Sequence, residues 1–308
     1  MNQRTISHPH NRRPARVPPR ARPSGTKTTG RERQRKRHNV RLAWSAVAVV
    51  LVATGVLVGV KATGGTTSAG PPRAALRSSN SAALTSVPLS TLVEAATQVR
   101  GLQPAEGADG SQLSANGKPQ VLYIGAEFCP VCAAERWPLT VALSQFGTFS
   151  HLSQTHSAVR DGNLPTLSFY GSSYSSPYLS FTPVEMMTNQ PAGGSYRKLE
   201  TPTPQDMAAW QGVQGQNLTF PFVDIGGQWV LQTSQFPSRI LQDQSFNEVA
   251  SSVGRNDTTI GSAVDASAAT LVKYFCSVTG QQPASVCSAV AGIQTGGATT
   301  PGLSSLAG

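Results

Sequence analysis

Charge is what this chain has little of: Asp, Glu, Lys and Arg make up 13 % of its 308 residues. What charge there is lies at one end. Residues 1–41 hold thirteen Lys and Arg against a single acid, Glu32, a net +12, so the other 267 residues sum to −2. The overall +10 describes a basic arm on a near-neutral body. Large apolar residues are also missing from several long, Gly- and Pro-rich stretches, which are poor core material. The remaining length suits one domain.

Cysteine and histidine are scarce too, at four and five residues. Zinc knuckles and ribbons use two closely spaced ligand pairs. Here only Cys129 and Cys132 have that spacing, while Cys276 and Cys287 have ten residues between them. His151 and His156, read as part of a strand, fall on opposite faces because their spacing is odd. The pattern argues against a metal site, and no cofactor is required.

The stretch with no charge at all is LAWSAVAVVLVATGVLVGV, residues 42–60. As a helix, 19 residues span about 28 Å, close to the roughly 30 Å of a bilayer's hydrocarbon core. Arg41 and Lys61 bracket it, and Trp44 suits the headgroup region. A cleavable signal would have a shorter apolar region and a shorter basic leader. The expectation is a single-pass plasma-membrane protein. Its arm, 1–41, is disordered and cytoplasmic, and everything after residue 60 is outside the cytoplasm. The arm reads as a topogenic, lipid-facing tail with no specific nucleic-acid partner. Residues 61–86, small and polar, read as a flexible linker. PLSTLVEAATQV, 88–99, reads as a short helix.

All four cysteines lie in the segment expected outside the cytoplasm, where disulfides persist. PQVLYIGAEF reads as a buried strand and AAERWPLTVALSQFG as a helix kinked at Pro138. EFCPVC therefore sits where a strand hands over to a helix. The helix start offers free N–H groups and partial positive charge, which stabilise a thiolate at Cys129. Cys132, one turn further in, is the more buried sulfur and resolves the mixed disulfide. Glu127 is near enough to accept a proton, but with no partner visible in the sequence it reads as a solvated surface carboxylate. Cys276 ends an amphipathic helix, 260–277, and TGQQP turns the chain so that ASVCSAVAGI returns antiparallel. A Cys276–Cys287 disulfide is the natural staple. Residues 292–308 read as a disordered tail.

A strand followed by Cys-x-x-Cys at a helix start is the signature of the thioredoxin fold. The longer run YIGAEFCPVCAAERWPLTVALSQFGTFSHL resembles an uncharacterised family of thioredoxin-like proteins, a domain of unknown function, often membrane-anchored. The likeness covers residues 87–291 and implies an α/β thioredoxin-like fold with a redox centre. It implies a cis-proline opposite the cysteines. Pro221 is the choice over Pro165 and Pro183, because a strand, a Gly226–Gly227 turn, a second strand and a helix (245–254) follow it.

Departures from thioredoxins are plain as well. Their buried acid is Tyr123 here, Phe128 stands where Trp is usual, and Pro130 follows the first cysteine rather than preceding the second. The expected layout is a thioredoxin-like domain over 87–254 with a β-rich insertion at about 158–216, then a helical hairpin over 255–291. FSHLSQTHS (149–157) is taken as the second core strand and 164–187 as an added hairpin. PAGGSYRKLETP reads as a loop and TPQDMAAWQGV (203–213) as a helix capped by Thr203. Tyr170, Tyr174, Tyr178 and Phe181 read as packing side chains, with a groove lining as the other option.

The function expected is a thiol–disulfide oxidoreductase acting on protein thiols or disulfides outside the cytoplasm. Cys129, Cys132 and Pro221 form its site. The rival is a tethered, non-catalytic binding module in which Cys129–Cys132 is a permanent staple. A loop that short gains little from crosslinking, which favours the enzyme.

Overall fold

Val121 and Tyr123 face one apolar cluster and Leu122 and Ile124 another, and all four are fully buried. That alternation marks a strand covered on both sides, and the rest of the fold is arranged around it. The computed structural model describes residues 73–295, all within the unit Ala62–Gly308. The expected basic arm, the apolar run 42–60, the first part of the linker and the tail beyond 295 lie outside the described residues. Among the described residues no helix is long and apolar enough to cross a membrane.

The described chain begins with β1 (Ala74–Ala75), α1 (Ser78–Thr85) and α2 (Leu89–Gln98). Two short strands, β2 (Glu106–Gly107) and β3 (Ser114–Ala115), lead into the central β4 (Lys118–Gly125). β4 hands over to α3 (Pro130–Ser144). A β-rich stretch follows with β5 (Thr148–Ser150), β6 (Ser153–His156), β7 (Pro165–Ser168) and β8 (Ser173–Ser175). It continues with β9 (Ser180–Glu185), β10 (Met187–Ala192) and β11 (Ser195–Lys198). Next come α4 (Pro204–Gln214), β12 (Phe222–Ile225) and β13 (Trp229–Leu231). The last elements are α5 (Phe246–Ser252), α6 (Thr259–Val278) and α7 (Ala284–Val290).

The main sheet has the order β2-β13-β12-β4-β3, and β9 also pairs with β4. β12 runs antiparallel to β4 with Phe222 opposite Ile124, and β9 runs parallel to it with Gln120 opposite Ser180. The β12–β13 hairpin turns at Gly226 and Gly227, whose φ values are +66° and +72°. Only glycine takes two such residues in a row without strain. One face of the sheet carries Val121, Tyr123, Val223 and Ile225 into the large core with α3 and α6. The other carries Leu122, Ile124 and Phe222 against Trp210 of α4. The architecture is a mixed α/β fold with helices on both sheet faces.

Local signals explain the helix starts. Thr203 and Asp206 form a reciprocal capping box on α4, and Ser245 and Glu248 do the same on α5. The Thr258 hydroxyl accepts from Gly261 N–H to cap α6. Cys276 and Cys287 are joined by a disulfide, which ties α6 to α7.

Several expectations need correction. The parallel partner of β4 is β9, not the segment 149–157, whose two strands go to small outlying sheets: β5 pairs β8, and β6 lies between β1 and β7. His151 stands outside both strands, at a left-handed φ of 61°. The segment 164–187 is not one hairpin, because β7, β8 and β9 each pair elsewhere. The presumed loop 191–202 contains β11 and the end of β10, turning at Gly193–Gly194. Alternation could not separate these strands, since the aromatic, Ser-rich run suits each equally well.

Part of the presumed linker is built in as well. α1 has almost no amphipathic pattern, yet Leu84 is fully buried and Asn80 donates to Asn247 at 2.9 Å. Tertiary contact overrides propensity there. Ile293, placed in the tail, is buried, and its carbonyl accepts from Lys273 Nζ. α3 runs through Pro138 as one helix.

Candidate active site

Cys129 is the N-cap of α3. Its φ and ψ, −76° and 122°, are extended, and its sulfur accepts from the Cys132 N–H at 3.2 Å. Pro130 follows at the first helical position, where its missing N–H costs nothing and its fixed φ suits the helix. The sequence CPVC therefore builds the cap and the dithiol from the same atoms. Both cysteines are free thiols and both are buried, Cys129 at 6 % exposure and Cys132 at 0 %.

The two sulfurs differ in acidity. A hydrogen bond from the Cys132 thiol pulls the Cys129 thiol below the usual cysteine range, and the Cys132 N–H and the charge of Arg136 act the same way. Burial pushes the Cys132 thiol well up. A low-pKa sulfur at the edge of the buried site, followed by a fully buried high-pKa one, is the arrangement that nucleophilic attack and resolution need.

Pro221 lies one residue before Phe222, which pairs with Ile124, so it sits level with the end of β4. The Phe220–Pro221 peptide is cis, as is Gln282–Pro283, for which no residue pattern argued; the peptides before Pro165 and Pro183 are not cis. Phe128, Val131, Met187 and Phe220 pack around Ala126, Cys129 and Cys132. Phe128 stacks on Tyr196 of β11, centroids 4.4 Å apart and planes at 8°, and Arg160 lies over the other ring at 5.1 Å. The Glu127 N–H donates to Met187 O, so the β10–β11 hairpin is joined to the cysteine loop directly.

Glu127 is not a solvated carboxylate. It is 1 % exposed, accepts from Ser168 Oγ at 2.6 Å and pairs with Arg73 Nη1 at 2.9 Å. Both partners are remote in sequence, which is why no perturbing group was visible there. Tyr174 and Phe181 join Phe149 and Phe169 in an aromatic cluster, and Tyr178 packs on the core. Tyr170 is 38 % exposed under the Arg73 guanidinium.

Behind the cysteines lies a group the sequence reading missed. Arg136 and Glu185 are both fully buried and joined by two hydrogen bonds, Nε to Oε1 at 2.8 Å and Nη2 to Oε2 at 2.7 Å. The Arg136 guanidinium lies 5.6 Å from the Tyr123 ring centroid. The available signal was position: Arg136 is one helical turn after Cys132, on the face that Cys132 shares.

Fold and site together define a mixed α/β domain with a buried dithiol at the start of its central helix. Residues 107–277 match the family described as Domain of unknown function (DUF929), and the chain belongs to that family. The match runs from the second residue of β2 to the end of Cys276's helix but for its last residue, and leaves out β1, α1, α2 and α7. No curated protein matches the chain, and no solved structure does.

Proposed function

We propose that the protein is a thiol–disulfide oxidoreductase of thioredoxin-like fold, anchored by residues 42–60 with its domain outside the cytoplasm. The observation that carries the reading is the Cys129 sulfur at the N-cap of α3, held by the Cys132 N–H and lowered in pKa. The order β9-β4-β12-β13, with the cysteines after β4 and Pro221 entering β12, supports the thioredoxin-like assignment. The anchor and its orientation rest on the amino-acid sequence alone.

In this reading Cys129 forms the bond to substrate sulfur and Cys132 closes back on Cys129 to release it. Phe128, Val131 and Phe220 give the entrance an apolar rim suited to an unfolded or extended protein segment. The test is equilibration of the full-length protein, in detergent micelles, against glutathione buffers, with the Cys129–Cys132 state read by thiol alkylation and mass spectrometry. A reversible two-electron transition between about −120 and −270 mV is expected. A pair that never exchanges with glutathione would leave only the tethered binding module.

A further inference from the structure

The arrangement of thioredoxin-like proteins does not by itself say which way electrons go. Here two buried donors have no hydrogen-bond partner, Arg136 Nη1 and the Tyr123 hydroxyl, one on the helix that the cysteines open and one on the strand that leads into them. Arg136 spends Nε and Nη2 on Glu185, so the third nitrogen is what it has left. Side chains on a helix lean toward its N-terminus, which brings Arg136 back over the turn that holds Cys132. The Tyr123 hydroxyl lies over Gly125, 2.2 Å from where a Cβ on that residue would be, at the strand end that leads into the cysteine loop.

A buried donor with no partner costs roughly 1–3 kcal/mol. Two of them around one dithiol make sense if an acceptor forms there during the reaction. Three other carboxylates near this centre are already engaged, while Glu135, also on α3, keeps one oxygen unpaired and His156 its Nδ1. Glu185 holds Arg136 and also accepts from Phe169 N–H, Glu200 accepts from Glu185 N–H, and Glu127 holds Arg73 and Ser168. The charge of Arg136 favours the thiolate on both sulfurs, against the burial that opposes it.

We propose that Arg136 is the positioning residue that sets the direction of electron flow: with the Tyr123 hydroxyl, its third nitrogen holds the negative charge that opening the disulfide places on the sulfur pair, so the pair donates disulfides to protein dithiols. This rests on the oxidoreductase reading above. A substrate thiolate attacks Cys129 Sγ, and the electron pair of the broken S–S bond leaves on Cys132 Sγ. The second substrate thiolate then attacks the substrate sulfur of the mixed disulfide, and Cys129 leaves as a thiolate. The substrate loses two electrons and two protons. The pair gains both electrons, one proton goes to Cys132 and the other to solvent.

The test uses the full-length protein in micelles with three variants: Arg136→Met/Glu185→Gln, which removes both charges together, Arg136→Lys and Tyr123→Phe. Two quantities are read, the exchange constant with glutathione and the pH midpoint of Cys129 alkylation. A merely structural role moves neither. The double variant is expected to shift the constant about tenfold toward the disulfide, about 30 mV more reducing, with a higher alkylation midpoint. Lysine cannot both hold Glu185 and reach the sulfurs, so Arg136→Lys shifts about threefold or more the same way. Tyr123→Phe shifts about threefold. If the double variant fails to fold, shown by a flat near-ultraviolet dichroism spectrum, the other two decide. A wild-type pair that exchanges, with variants all within about twofold of it, overturns the proposal and leaves the oxidoreductase reading standing. A wild-type pair that does not exchange removes both.

Discussion

Replacing Glu135 by glutamine should make the protein more stable, and increasingly so as the pH rises. Glu135 is fully buried in α3; one carboxylate oxygen accepts from Gln235 N–H at 3.0 Å and the other has no partner. Burial pushes its pKa up to about 8. Below about pH 4.3, the ordinary glutamate value, folded and unfolded chains both carry the proton and Glu135 has no pH effect. Between that value and about 8 the unfolded chain ionises while the folded one stays neutral, so stability falls as pH rises. The slope approaches about 1.4 kcal/mol per pH unit, which with rounding near the two pKa values gives roughly 4 kcal/mol between pH 5 and pH 8. Glutamine is neutral throughout and keeps an oxygen for Gln235. Asp265, raised to about 7, and the other shifted carboxylates are the same in both proteins and cancel. For a domain of this size the gap between the two proteins should widen by roughly 8–16 °C in Tm from pH 5 to pH 8. Thermal melts of wild type and Glu135→Gln at pH 5, 6, 7 and 8, followed by circular dichroism, measure it. Parallel Tm curves across that range would show that Glu135 is not the buried neutral acid described here.

Two further outcomes follow from single contacts. Gly125→Ala places a methyl group 2.2 Å from Tyr123 Oη and 2.5 Å from Cζ, both immobile, and should destabilise by about 1–3 kcal/mol in urea unfolding. Adding Tyr123→Phe should not restore the loss, because Cζ remains; full rescue would show that the hydroxyl alone sets the clash. Cys276→Ser/Cys287→Ser opens a short loop and should cost about 2–4 kcal/mol while leaving the glutathione exchange of Cys129–Cys132 unchanged. A changed exchange constant would mean that the two pairs communicate.

The elements with strong local chemistry could be read before the structure. The apolar run of β4, the Gly226–Gly227 turn, the Thr203 cap and the heptad-like face of α6 are each set by residues within one turn or one pleat of each other. The cysteine pair belongs to this group, since its placement at a helix start follows from the strand before it and the helix after it. What was not readable depends on distant partners. β9 was misplaced because nothing in Ser180–Glu185 says that it will lie along β4, some sixty residues earlier. Glu127 was misjudged because Arg73 and Ser168 are distant in sequence. Arg136 was passed over because a charged residue in an otherwise apolar helix looks like a surface position until Glu185 is seen opposite it. α1 was missed because small polar residues became a helix only through the docking of Leu84.

Beside the chemistry proposed for it, the sulfur of Cys129 has a mechanical duty. It is the group that closes the first turn of a fifteen-residue helix, by accepting from Cys132 N–H. A charged sulfur accepts such a bond strongly, and one locked into a disulfide accepts it weakly. Under the proposed thiol–disulfide chemistry, each change of oxidation state would tighten or loosen the end of α3, and with it Phe128, the Tyr196 stack and the hairpin joined to the loop. On that proposal, chemistry at one atom would be felt as stiffness along the whole rim that a visiting chain would have to touch.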